Sequence, residues 1–129
     1  MQIVSKPWGK ELWIELNSKY CFKRIEINAG ERTSLQYHKF KCETIFIVSG
    51  KAEVWLENDE GVVEKKIMYK EKSFNVVPGT KHRVIALTDL VMFEVSTPEV
   101  DDVIRVEDDT GRQDGRIDSE HNEDINKSI

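Results

Sequence analysis

The chain of 129 residues is predicted to be all-β, a single domain folded as a closed or two-sheet antiparallel barrel. Three observations predict it. Short runs of β-branched and aromatic residues recur along the chain. Turn residues break these runs at short intervals. Within the runs, apolar and polar residues alternate with a period of two.

Strands are expected near Lys10–Glu15, Tyr20–Asn28, Ser34–His38, Glu43–Ser49, Ala52–Glu57, Val63–Tyr69, Ser73–Val77, His82–Ala86 and Val91–Val95. Asn28-Ala29-Gly30, Ser49-Gly50-Lys51, Asn58 to Gly61, Pro78-Gly79 and Thr88-Asp89 separate them. Before the first strand, an arm carrying Lys6 and Trp8, with Trp13 just beyond, is expected to pin itself to the barrel or to a second subunit. Ala52, Val54 and Leu56 share one face of their strand and Trp55 takes the other, and an exposed tryptophan there points to a homodimer. Cys21, Lys23, Ile25 and Ile27 also share a face, which sets a lysine on an apolar stripe. Pro98 ends the last strong strand. Residues 1–112 therefore form the barrel domain with its arm, and 113–129, polar and aperiodic, form a tail in which His121 is expected to be solvated.

A hydrophobic content of 39% suits a globular chain, and its length suffices for a core without disulfides. The net charge of −5 argues against a nucleic-acid or anionic-membrane binder. From Glu99 onward 11 acidic residues face 4 basic ones; the rest has 13 acidic and 15 basic, so the barrel itself is slightly positive and suits an anionic small molecule. The two cysteines, Cys21 and Cys42, are expected free in a reducing cytoplasm, because the N-terminus lacks the apolar stretch of a secretory signal and no segment approaches the ~20 apolar residues of a membrane span.

Two of the three histidines stand in informative contexts. Gln36 and His38 are two apart, so on a strand they point to one side. After a turn, Glu43 opens a strand with the parity of Ile45 and Ile47, which points it inward. Further on, Pro78-Gly79 launches a strand whose first residue is His82. Imidazole, carboxylate and amide oxygen together suit one divalent ion: Zn first, with Mn, Fe, Co and Ni as alternatives.

The spacing Gly30, His38, Glu43, Gly50, then Gly79 and His82, resembles the paired motifs of the cupin superfamily, whose fold is a jelly-roll barrel. It departs from them at Phe40, where a second histidine is usual, and at Pro78, one residue late. Lys6-Pro7-Trp8-Gly9, Ser34-Leu35-Gln36-Tyr37-His38, Lys81-His82-Arg83 and Val106 to Arg112 follow the order found in the cupin domain of type II mannose-6-phosphate isomerases, with Thr110 where a tyrosine is usual. The resemblance implies the ligand set Gln36, His38, Glu43 and His82, with Phe40 as an apolar wall beside the ion. It also implies an aldose–ketose isomerase acting on a sugar phosphate. Lys23 and Glu94 would be its catalytic acid–base candidates, and Lys81, Arg83 and Arg112 would hold the phosphate. The alternative is a non-catalytic cupin that binds metal and carbohydrate, accessory to polysaccharide or nucleotide-sugar metabolism.

Overall fold

Pro7 and Trp8 make a two-residue turn between β1 (Gln2–Lys6) and β2 (Gly9–Leu16), pairing Lys6 with Gly9. Gly9 has φ 154°, and a Cβ there would lie 2.0 Å from the Glu26 carbonyl oxygen, so only glycine lets this hairpin lie against the next strand. The expected arm is thus a hairpin at a sheet edge. It buries Trp8 and Trp13 within its own chain.

The computed structural model describes residues 1–121; of the expected tail, 122–129 lie outside the described residues. After β2 come β3 (Cys21–Ile27), β4 (Leu35–Tyr37), β5 (Glu43–Ser49), β6 (Lys51–Glu57), β7 (Val63–Tyr69), β8 (Ser73–Val76), β9 (His82–Ala86), β10 (Leu90–Ser96) and β11 (Ile104–Glu107). One antiparallel sheet runs β1-β2-β3-β10-β5-β8 and the other β11-β4-β9-β6-β7. This is the expected all-β barrel. The β1 and β11 strands were not expected from sequence. A 3₁₀ turn, Asp118–His121, follows them. Among the described residues no helix is long and apolar enough to cross a membrane.

The inward rows of the central strands split the interior into two halves. At one end, Ile27, Ile47, Leu90, Ala52 and Ala86 are almost fully buried and make a dry core with Ile25, Val54 and Met92. At the other end, the same rows continue as Lys23, Glu94 and Glu43. Register fixes this: Met92 pairs with Ile25 and Ile47, Glu94 with Lys23 and Ile45, and Ser96 with Cys21 and Glu43. The alternation that builds the core therefore also carries charged side chains into the barrel. Cys21 is buried and Cys42 exposed, and both are free thiols.

Trp55 does lie on the outer face, but its own chain covers it. Lys65 Nζ stands 4.1 Å from the ring centroid and the Arg83 guanidinium 5.4 Å. The tryptophan from which a homodimer was expected is thus partly buried within its own chain.

Candidate metal centre

Three buried donors converge at the polar end: His38, Glu43 and His82, with one ligand atom from each lying within 4.8 Å of the others. Glu43 Oε1 is 3.4 Å from His82 Nε2 and 3.7 Å from His38 Nε2. Donors at Zn–N and Zn–O distances around a tetrahedral ion lie roughly 3.4 Å apart, so the spacing already fits a single ion. Both rings are aimed through their other nitrogen. His38 Nδ1 is 2.6 Å from the Asp102 carbonyl and His82 Nδ1 2.9 Å from the Thr80 carbonyl. A carbonyl can only accept, so each Nδ1 carries a proton, which in the neutral ring leaves the Nε2 lone pair to present to an ion. Both Nε2 atoms are buried without a hydrogen-bond partner. Buried polar atoms with a common focus and no partner suit a cation at that focus.

Local structure explains how these residues meet. The Pro78-Gly79 turn, with Gly79 at φ 85°, places the Gly79 N–H 2.7 Å from the His38 carbonyl, which ties the two histidine segments together. Gln36 on β4 is the cross-strand partner of His82 on β9 and lines the same cavity. Its Oε1 accepts a hydrogen bond from the Ser34 hydroxyl at 2.5 Å, and a carbonyl oxygen has a second lone pair.

Phe40 is not a wall beside the ion: it is 69% exposed. The β4 strand ends at Tyr37, so strict alternation stops before residue 40. The Asp102 carboxylate accepts from the backbone N–H groups of Lys39, Phe40 and Lys41 at 3.0, 2.7 and 3.0 Å and curls this loop around itself. Burial pushes the Asp102 carboxyl up, but those three bonds together outweigh it and hold it below the usual range. The curl turns Phe40 outward and Lys41 inward. Lys41, which sequence reasoning did not single out, is buried with Nζ 3.0 Å from Glu43 Oε2 and 3.2 Å from Glu94 Oε2.

A chain of buried charges continues from there. Lys23 Nζ lies 3.9 Å from Glu94 Oε2 and 3.1 Å from Glu11 Oε1, and Glu11 also accepts the Trp13 indole N–H at 2.9 Å. Lys23 is thus inside the barrel and Glu94 beside it, both lining the cavity. Burial tends to discharge Glu11, Lys23, Lys41 and Glu43, yet the opposite charges beside them override it. Lys23 and Lys41 are raised above the ordinary lysine range, Glu43 is held well below the carboxylate range, and Glu11 is lowered to about 2. Donor types and spacing fit a divalent cation.

The proposed phosphate-holding residues divide. Arg112 lines the cavity, with Nη2 2.9 Å from Asp108 and Nη1 3.1 Å from Glu120. Lys81 is not among the lining residues; its backbone N–H bonds Glu57. Arg83 is 1% exposed but points to the opposite side of β9 from His82. There it donates to the Thr33 carbonyl at 2.8 Å and pairs with Asp109 at 3.1 Å. Adjacent strand residues face opposite ways, so Arg83 braces the outer face and does not reach the cavity. His121 is not a solvated tail residue: it is partly buried, lines the cavity and stands edge-on to Trp13 with ring centroids 5.2 Å apart. Lys6 and Arg105 line the cavity too. No motif flagged Arg105, but as the cross-strand partner of Gln36 it shares that residue's face.

Comparison with solved structures agrees with the fold. The capsular polysaccharide assembling protein CapF from Staphylococcus aureus superposes with a TM-score of 0.70 at 16% identity, over 81% of this chain and 34% of that one. An RmlC-like cupin from Shewanella frigidimarina superposes with a TM-score of 0.64 at 19% identity, over 75% and 83%. The barrel is a cupin. Among curated relatives, the mannose-1-phosphate guanylyltransferase ManC of Salmonella typhimurium is 32% identical over 114 residues. The alginate biosynthesis protein AlgA of Pseudomonas aeruginosa is 29% identical over 115 residues. Each match takes in 84% of this chain but only 23% of the relative, so the chain spans about a quarter of their length.

These relatives correct one expectation from the sequence. The curated relatives are named as mannose-1-phosphate guanylyltransferases or as xanthan and alginate biosynthesis proteins, not as sugar-phosphate isomerases, and the isomerase reading falls, taking with it the acid–base roles given to Lys23 and Glu94. What remains is the fold, the donor set and a family model, Mannose-6-phosphate isomerase C-terminal, that matches residues 1–108. By that match the chain belongs to the Mannose-6-phosphate isomerase C-terminal family.

Proposed function

We propose that this cupin is a non-catalytic binding module that takes one divalent metal ion and a carbohydrate bearing an anionic group, accessory to nucleotide-sugar or polysaccharide synthesis. The observation that carries this reading is the convergence of His38, Glu43 and His82 on one focus inside a cavity that Lys6, Arg105 and Arg112 also line. Gln36 is the fourth ligand in this reading. Two imidazoles with carboxylate and amide oxygens favour zinc, with manganese, iron, cobalt and nickel as alternatives. An ion held there offers open positions to neighbouring hydroxyls of a sugar.

The chain's own residues complete the site. Trp8 and Trp13 line the cavity and present apolar faces to a pyranose ring. Lys23, Lys41 and Glu94 supply donors and acceptors for hydroxyls. Lys6, Arg105 and Arg112 lie where a phosphate would be received. Supporting the setting are the relatives themselves, named for guanylyltransfer to mannose 1-phosphate and for xanthan and alginate biosynthesis.

Calorimetric titration of mannose 1-phosphate into the metal-loaded protein tests the reading. Saturable binding that disappears after chelation, without turnover of the sugar phosphate, is expected. Binding that ignores the metal, or no binding at millimolar ligand, would contradict it.

A further inference from the structure

Lys6 and Arg112 stand more than a hundred positions apart in sequence, yet they meet on one carboxylate. Glu120 Oε1 lies 2.9 Å from Lys6 Nζ, and Oε2 lies 3.1 Å from Arg112 Nη1. Glu120 is 8% exposed, in the 3₁₀ turn that packs on β1. The arginine is oriented for this contact. Asp108 takes its Nη2 at 2.9 Å and, more loosely, its Nε at 3.3 Å, leaving Nη1 for Glu120. Lys6, Arg112 and the tail residues Arg116, Ile117 and His121 all line the metal cavity. The tail therefore forms one wall of the site, and Glu120 fills the place where two cations converge.

Size makes this wall matter. The cavity holds about 100 Å³, whereas sites for small organic ligands run to about 300–1,000 Å³. With the tail seated the cavity is small for a sugar phosphate. The tail is held by replaceable contacts. Arg105 donates to the Gln113 and Gly115 carbonyls, Asp114 accepts the Arg105 backbone N–H, and the Gly115 N–H donates to the Val103 carbonyl. Gly111 and Gly115, at φ 69° and 77°, lie between β11 and the turn and give the segment its pivots.

We infer that residues 113–121 are a strap that closes the cavity, and that Glu120 is a built-in counter-ion which an incoming phosphate group displaces from Lys6 and Arg112. This rests on the binding reading above and adds its regulation: ligand entry and strap opening are one event. A phosphate group offers the two cations the same pair of oxygens with more charge. Its binding frees the segment and enlarges the cavity for the attached sugar.

The test titrates inorganic phosphate into metal-loaded wild type, E120Q and K6M, each first shown to melt cooperatively, and follows hydrogen exchange across 116–121. Glutamine keeps the shape and removes the competing charge, so E120Q should bind phosphate about tenfold more tightly or better. K6M should bind more weakly than wild type. In wild type, phosphate should speed exchange across the strap. Unchanged or weaker phosphate binding by E120Q, no binding by any of the three, or a strap that stays protected when phosphate is bound would overturn the inference and leave Glu120 a structural brace. Mannose 1-phosphate, titrated in parallel, tests the binding reading itself. If E120Q does not tighten phosphate while mannose 1-phosphate still binds with metal dependence, the strap falls and the binding reading stands.

Discussion

Lys41 and Glu43 form a buried ion pair, Nζ to Oε2 at 3.0 Å, that leaves the other carboxylate oxygen, Oε1, to His38 and His82. Glu43 is thereby set to ligate through one oxygen while the second is already satisfied. Lys41→Met should test this division. Removing one member of a buried pair leaves the other uncompensated, at about 3–5 kcal/mol. The metal-free variant should melt well below wild type in urea. Added metal should recover more stability in the variant than in the parent, because the cation then becomes the main partner of Glu43.

Phe40→His restores the residue usual in cupin motifs, yet it should change little. The side chain at position 40 points to solvent, so an imidazole there does not reach the ion. Stability should stay within about 0.5 kcal/mol, and metal affinity by competition with a chelator should be unchanged. Tighter zinc binding would show that the loop curled around Asp102 is drawn wrongly.

The acid limb of stability should depend on Glu11. Burial pushes its carboxyl up, but Lys23, Lys6 and the Trp13 N–H together lower it from 4.5 to about 2. A lowered carboxylate stabilises the fold above its unfolded pKa, and that contribution is lost as pH falls through the folded one. Urea midpoints measured between pH 5 and about pH 2 should therefore fall, and Glu11→Gln should flatten that part of the curve.

Arg83→Met separates the outer brace from the site. The variant loses the bonds to Thr33 and Asp109 and the cover over Trp55. It should be destabilised by about 1.5–3 kcal/mol, with metal content and mannose 1-phosphate affinity intact. A selective loss of ligand affinity in a well-folded Arg83→Met protein would place the arginine in the site after all.

The fold was legible where alternation is strict. The runs around Cys21–Ile27, Glu43–Ser49 and Ala52–Glu57 gave strands and faces, because period-two patterning survives wherever one face is buried. Parity alone set Lys23 on the inward face with Ile25 and Ile27, whereas Glu94 stood between apolar neighbours on both sides and its face showed only in its pairing with Lys23 and Ile45. Parity failed at Phe40 and Lys41, where the strand has already ended and one acid some sixty residues away shapes the loop. It was blind to Glu120 and His121 for a different reason. A short segment held by Arg105, Arg112 and Lys6 needs no apolar period, so nothing local marks it as a wall of the cavity. The β1 strand was missed because it is short and its pairing depends on the Pro7-Trp8 turn.

Metal content is the most direct test of the central claim, that His38, Glu43 and His82 with Gln36 hold one ion. Elemental analysis of the purified protein should find about one divalent transition ion per chain. His82→Ala removes a strong nitrogen donor already aimed by the Thr80 carbonyl, and should lose most of that ion while the apolar half of the barrel still folds. A folded His82→Ala protein that keeps its full complement of metal would show that the ion, if any, is held elsewhere.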